Sequence, residues 1–172
     1  APADRPWFLQ INFTGPHNPW DITERMKVLY ADVDFPQPNA AGADSPEALL
    51  EVRRNYAAMV ENIDGWLGAY VDVLRERGEL DRTLIVFSSD HGEMLGDHHL
   101  WRKTYAYEAS ARVPLIAVAP ESMNAKRNVE CDRLVGWEDI MPTFLQAAAT
   151  DQPESVEGNS MLRLLKDPSD ML

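Results

Sequence analysis

The sequence is poor in features that would each point to a particular class of protein. Its 172 residues include a single cysteine, Cys131, which excludes an internal disulfide. The flanking residues Glu130 and Asp132 are acidic and unsuited to an activated thiolate, so we interpret Cys131 as structural and not catalytic. No apolar run approaches the roughly 20 residues that a bilayer requires, and we predict no membrane span.

Positive charge is also scarce. The chain has 28 acidic and 16 basic residues, giving a formal net charge of −12. The basic residues are scattered along the sequence, so a polyanion would be repelled, and we predict no nucleic-acid partner. The first ten residues lack the basic and apolar segments of a signal peptide. Their sequence leaves the compartment open, with a periplasmic or secreted location favoured over the cytoplasm.

Apolar runs predict the secondary structure. Trp7–Phe13, Arg82–Ser88 and Val113–Val118 predict strands, and the second has the nearly continuous apolar character of a covered central strand. From the cap at Ser45 to a stop at Gly78, apolar residues keep a three-and-four spacing, which predicts one long amphipathic helix. This order predicts a layered α/β sandwich, a mostly parallel sheet flanked by helices. Further helices are predicted at Asp139–Ala149 and in the tail around Leu162–Leu165.

The chemistry is concentrated after the second predicted strand, where Asp90, His91 and Gly92 follow one another. Ligands collect at the carboxyl ends of strands in open α/β sheets, and Gly92 lets the chain turn sharply. Asp suits hard cations, while His suits zinc or manganese, so Asp90 and His91 are candidate metal ligands. The same triplet is compatible with a plain turn.

Two further side chains fit an anionic ester. Lys103 follows Asp90 by thirteen residues, and a cation near a metal offsets charge on a tetrahedral oxyanion. Its alternative role is that of a solvated surface charge, as for Arg102 beside it. His17 lies between Pro16 and Pro19, which restrict the backbone around it. Such an imidazole can protonate a leaving alkoxide or hydrogen-bond a substrate oxygen.

Together these residues resemble a known family. Three segments match the second signature region of the sulfatases in order and spacing: Asp90-His91-Gly92, Lys103 followed by Tyr107-Glu108, and Arg112-Val113-Pro114. His17 in a His-x-Pro triplet matches a further sulfatase element. The segment Leu134–Leu145 is similar to another, with its Asp and Pro-Thr.

The resemblance implies an alkaline-phosphatase-like fold and a set of roles. Asp90 and His91 would ligate a divalent cation, which is calcium in most sulfatases. Many sulfatases have Asn at the position of His91, so manganese or zinc is also possible. Lys103 would contact the sulfate ester, and His17 would lie beside the sulfate or the leaving oxygen. The following residues would be structural: Glu108, Arg112 and Asp139.

One element of the family is missing from the sequence. Sulfatases carry a Cys or Ser in a Cys/Ser-x-Pro-x-Arg motif, which becomes the formylglycine nucleophile, and no such motif occurs here. We therefore expect residues 1–172 to be a partial catalytic domain that lacks the N-terminal, nucleophile-bearing part. The expected function is metal-assisted hydrolysis of a small-molecule or carbohydrate sulfate ester.

Two alternatives stay open at this point. A phosphonate or phosphate ester hydrolase of the same superfamily shares the fold and often carries Asp-His at this strand end. A sulfatase-like protein without catalysis, serving as a binding module, would also lack the nucleophile.

The missing motif yields a first prediction. The 172-residue chain expressed by itself should not turn over an aryl sulfate, because nothing in it can form the nucleophile. A colorimetric assay checks this against a sulfatase with the complete motif. Turnover near that of such an enzyme would show that the interpretation of the motif is wrong.

Overall fold

The computed structural model describes residues 5–40 and 45–170. They form two compact units, one within Ala1–Tyr70 and Glu93–Tyr105, the other within Val71–Gly92 and Ala106–Leu172. Helices and paired strands are both present, in agreement with the predicted α/β class. Among the described helices, none combines the length and the apolar character needed to cross a membrane.

Helices α1 (Glu24–Leu29) and α2 (Pro46–Glu76) come first in the chain. The hydroxyl of Ser45 accepts a hydrogen bond from the N–H of Ala48 at 3.1 Å, which caps α2. Gly78, with a φ of +63°, follows the last turn in the left-handed conformation that favours glycine. The predicted long helix is therefore confirmed, including its cap and its stop. Helix α1 lies in a segment where the sequence predicts no element.

The strand predicted at Trp7–Phe13 is wrong for this structure, in which the segment has no regular element. The side chains of Phe8 and Leu9 are 68% and 64% exposed. A strand is stable only when a neighbour satisfies its backbone groups, and the sheet of the described residues contains only the two strands given below. The apolar run indicates strand propensity but supplies no partner.

Strands β1 (Ile85–Ser88) and β2 (Leu115–Val118) confirm the other two predictions with shorter bounds. Strand β2 begins directly after Pro114, as expected for a residue without an N–H. The strands pair antiparallel, with β1 residue Ile85 opposite the last residue of β2. This differs from the predicted mostly parallel sheet, because the connection between them carries the 3₁₀ turn Asp97–His99 and the one-turn helix α3 (Glu108–Ala111) but no full crossover helix.

Helix α4 (Ile140–Ala147) follows the 3₁₀ turn Trp137–Asp139. The carboxylate of Asp139 is buried and accepts backbone N–H groups from Gly136 at 2.8 Å and Asn159 at 2.7 Å. These contacts tie the start of α4 to a later loop. They agree with the structural role that the family resemblance implies for Asp139.

Helix α5 (Leu162–Lys166) is joined to α4 through Thr143, which is 1% exposed. The Thr143 hydroxyl donates to the carbonyl of Asp139 at 2.6 Å and accepts the N–H of Met161 at 2.9 Å. Both hydrogen bonds are buried, so removing the hydroxyl would leave the Met161 N–H unsatisfied.

We predict that Thr143→Val lowers the free energy of unfolding by about 1–3 kcal/mol, the usual cost of an unsatisfied buried polar group. Urea denaturation followed by circular dichroism measures the change. The matched control is Thr150→Val, because Thr150 is exposed and its hydroxyl makes only a 3.4 Å contact. Equal effects of the two substitutions would contradict the role given to Thr143.

Candidate active site

Lys103 ends a closed loop, residues 93–103, which we call the lysine loop. The N–H of Met94 donates to the carbonyl of Arg102 at 3.0 Å, which closes the loop on itself. The Glu93 carboxylate accepts the N–H of Arg102 in turn. Met94 is only 1% exposed and anchors the start of the loop.

The backbone of the lysine loop is strained. Four of its non-glycine residues have φ values between 46° and 67°, a region that such residues rarely adopt: Leu95, His98, His99 and Arg102. Each such residue costs free energy and persists only where the surroundings hold it. At Gly96, with φ +90°, a Cβ would meet Leu49 Cδ2 at 2.8 Å. The loop therefore depends on contacts with its neighbours for its conformation.

Lys103 contacts His17, the other side chain that the sequence predicts beside an anionic ester. The Lys103 Nζ lies 2.9 Å from His17 Nε2, although the two residues are 86 positions apart in the chain. Both side chains are exposed, so a ligand can reach them. Both also belong to the first compact unit.

The hydrogen bonds fix the tautomer of His17. Its Nδ1 lies 2.7 Å from the carbonyl oxygen of Asn18, which can only accept, so Nδ1 carries the proton. The other ring nitrogen, Nε2, is then the acceptor for the Lys103 ammonium.

Two tryptophans accompany this pair in the first unit. Trp20 and Trp101 have ring centroids 5.4 Å apart with planes inclined by 48°. Trp101 precedes Lys103 by two residues, and Trp20 follows His17 by three. The sequence assigns Trp101 no family role and leaves open whether it shapes substrate choice or is a surface residue; its position two residues before Lys103 is the signal that could have singled it out.

Tyr56 is a second residue near the lysine loop that the sequence did not single out. Burial raises the pKa of its hydroxyl above the usual value, and the nearby Glu93 carboxylate adds to the effect. Glu93 also accepts the Arg102 N–H, so the carboxylate that influences Tyr56 belongs to the start of the lysine loop. Glu93 directly follows the Asp-His-Gly triplet, and this position is the sequence signal that could have pointed to it.

Asp90 and His91 follow strand β1 in the second compact unit. The His91 Nε2 lies 3.7 Å from Asp90 Oδ2, and the Asp90 side chain is 79% exposed. The His91 Nδ1 lies 2.7 Å from the carbonyl oxygen of Gly92, so this nitrogen carries the proton and Nε2 has a lone pair.

This arrangement fits part of a metal-binding shell. A separation of 3.7 Å is less than twice a metal–ligand distance of about 2.3 Å, so one ion can contact Asp90 Oδ2 and His91 Nε2 together. A ligating histidine typically donates its other N–H to a carbonyl, as His91 does to Gly92. No group of three His, Cys, Asp or Glu side chains that could hold an ion occurs within residues 5–40 and 45–170.

Gly92 is needed for a reason other than the expected sharp turn. A Cβ at this position would lie 2.1 Å from the carbonyl oxygen of Ala109 in α3. The Gly92 N–H also donates to the carbonyl of Ser110 at 2.8 Å. Close approach to α3 therefore excludes a side chain, and these contacts hold the segment that carries His91.

The side chains of Glu108 and Arg112 do not form the ion pair that their spacing allows. Their contact is a 2.8 Å hydrogen bond from the N–H of Arg112 to the carbonyl of Glu108. Helix α3 ends after one turn, so the two side chains do not share a continuous helical face. The residues that directly follow β1 are held instead by Trp137, whose indole N–H donates to the carbonyl of Ser89 at 2.9 Å.

The family model described as Sulfatase matches residues 1–150. An arylsulfatase of Clostridium perfringens (strain 13 / Type A) is 33% identical over 183 residues. The match covers 95% of this chain but 38% of that relative. The chain thus spans little more than a third of the relative's length.

Two solved structures are also similar. The phosphonate monoester hydrolase of Agrobacterium radiobacter superposes with a TM-score of 0.83 at 25% identity, over 95% of this chain and 39% of that one. A protein in complex with its substrate D-glucosamine-2-N,6-O-disulfate superposes with a TM-score of 0.65 at 32% identity, over 70% of this chain and 24% of that one. These likenesses confirm the incomplete alkaline-phosphatase-like α/β fold that the sequence resemblance implies.

Proposed function

This chain belongs to the sulfatase family, and from that premise we propose that it supplies the ester-binding pair and part of the metal site of a sulfate monoester hydrolase. The observation that carries the proposal is the 2.9 Å contact of Lys103 with His17. Two exposed groups from distant parts of the chain, both suited to an anionic ester, converge there.

Lys103 binds the sulfate group in this proposal. An ammonium has three N–H donors and can hold more than one acceptor, and its hydrogen bonds to an ionised oxygen are about twice as strong as neutral ones. As negative charge grows on the ester oxygens in the transition state, the attraction to Lys103 increases. The contact with His17 restricts where the Lys103 ammonium can lie.

His17 and Lys103 share the proton that the leaving oxygen needs. With Nδ1–H donated to the Asn18 carbonyl, His17 accepts a proton only at Nε2, where Lys103 contacts it. A proton delivered from this pair to the leaving oxygen prevents the build-up of charge on the departing alcohol. This role is the one predicted for His17 from the sequence, with Lys103 as its partner.

Asp90 and His91 hold a divalent cation, for which we propose calcium, with manganese and zinc as the other possibilities. When bound, such an ion polarises the ester oxygens as a Lewis acid. The Gly92 carbonyl keeps the His91 ring in the tautomer that leaves Nε2 available. The nucleophile, a formylglycine in this proposal, is not supplied by residues 1–172, because they contain no Cys/Ser-x-Pro-x-Arg motif.

The substrate is a sulfate ester of a small molecule or a carbohydrate. The similar structure solved with a glucosamine disulfate supports a sugar sulfate for that neighbour, and by likeness for this chain. The arylsulfatase relative supports an aryl sulfate as an assay substrate.

Hydrolysis of a phosphonate monoester is the second candidate. Two observations favour it: the TM-score of 0.83 to a phosphonate monoester hydrolase, and the histidine at position 91. Lys103 and His17 would contact a phosphonate oxygen in the same way as a sulfate oxygen. The two candidates are therefore distinguished by assaying both ester types.

We predict that Lys103→Ala in the complete enzyme lowers kcat/KM for an aryl sulfate by about 10²–10³-fold, the usual loss on removing one oxyanion donor. Steady-state kinetics measures the change. The control is Lys27→Ala, because Lys27 is exposed on α1 and takes no part in the pair. Unchanged activity in Lys103→Ala would refute the ester-binding role, and faster turnover of a phosphonate monoester by the unaltered enzyme would favour the second candidate.

We further predict that Asp90→Asn weakens the binding of a divalent cation by at least about tenfold, since one carboxylate ligand is lost. Titration calorimetry with calcium, manganese and zinc in turn gives the affinities. Asp81→Asn is the control, because Asp81 is an exposed acid of the same unit. Equal affinities of the two variants would argue against a metal site at Asp90.

A further inference from the structure

Arg53, on helix α2, contacts the lysine loop through its guanidinium group. Its Nη2 donates to the carbonyl of Leu95 at 3.0 Å and to the carboxylate of Asp97 at 3.2 Å. Its Nη1 donates to the carbonyl of Pro36 at 2.7 Å. The Arg53 side chain is 14% exposed, so these are largely desolvated, charge-assisted hydrogen bonds.

The loop is tied at the same place to a second segment. The Asp97 carboxylate accepts the N–H of Asn39 at 3.1 Å, and the Asn39 carbonyl accepts the N–H of His98 at 2.8 Å. Arg53 and Asn39 therefore hold the tip of the lysine loop from two sides. Both contacts lie within the first compact unit, as does Lys103.

These contacts of Arg53 and Asn39 with the lysine loop, which we call the clamp, lie where the loop backbone is strained. Leu95 and His98, whose backbones Arg53 and Asn39 hold, have φ values of 46° and 55°. A loop with several such residues relaxes to other conformations once its outside contacts are lost. Lys103 is six residues beyond Asp97, so a relaxed loop would carry its ammonium away from His17.

We infer that Arg53 is a positioning residue for the ester-binding lysine: it holds the lysine loop in the strained conformation that places Lys103 against His17. The inference rests on the proposed function, since it gives Lys103 its role in that reaction.

The burial of Arg53 argues for positioning over stability. Its Nε atom is buried without a hydrogen-bond partner in the described part of the chain, so the cost of burying the charge is only partly offset. An apolar side chain of similar length would avoid that cost, and the Asp97 carboxylate, which is 23% exposed, would keep the N–H of Asn39 as a donor. Replacing Arg53 by methionine should therefore affect catalysis much more than the unfolding temperature.

The experiment is a double-mutant cycle in the complete enzyme with an aryl sulfate. We expect Arg53→Met to lower kcat/KM by about 10- to 100-fold and to have little further effect in the Lys103→Ala background, because both changes remove the same interaction. Arg53→Lys should restore only part of the lost kcat/KM, because lysine keeps the charge but not the planar set of guanidinium donors. The matched control is Arg75→Met, on the same helix, whose ion pair with Asp72 is exposed.

The possible outcomes separate a failure of the inference from a failure of the proposed function. A loss from Arg53→Met that multiplies with that of Lys103→Ala, or no loss at all, overturns the inference and leaves the proposed function intact. Full activity in Lys103→Ala refutes the proposed function, and the inference falls with it. Should Arg53→Met fail to fold, as judged by circular dichroism, Asp97→Ala removes the loop side of the same clamp and takes its place in the cycle.

Discussion

The contact of Lys103 with His17 is the interaction on which the rest of this account depends. It joins the loop after residue 13 to the lysine loop, whose internal backbone hydrogen bonds close it on itself but do not fix the Lys103 side chain. A 2.9 Å bond between an exposed ammonium and an exposed imidazole is a weak restraint by itself. The two segments must therefore be held by something more rigid.

Helix α2 is that rigid element. Within little more than one turn, Arg53 contacts the lysine loop, Asn55 donates to the carbonyl of Trp20 at 3.4 Å, and Tyr56 lies near Glu93. One helix thus touches both segments that meet at the Lys103–His17 contact. Its length follows from a regular apolar spacing and a serine cap, so a simple sequence pattern supports an irregular site.

The sequence could predict what depends on local patterns. The bounds of α2 follow from its spacing and caps, and the adjacency of Asp90 and His91 follows from their order in the chain. Strand pairing is non-local, so the run at Trp7–Phe13 was assigned a strand that has no partner among the described residues. The conformation of the lysine loop was also out of reach, because positive φ at Leu95 or His98 leaves no signature in the sequence.

A crystal structure of the complete enzyme with bound sulfate tests the central claim most directly. We expect one sulfate oxygen to accept a hydrogen bond from Lys103 Nζ, with the ammonium still beside His17 Nε2. A sulfate held entirely by other residues, with the Lys103–His17 contact unchanged and facing solvent, would contradict it.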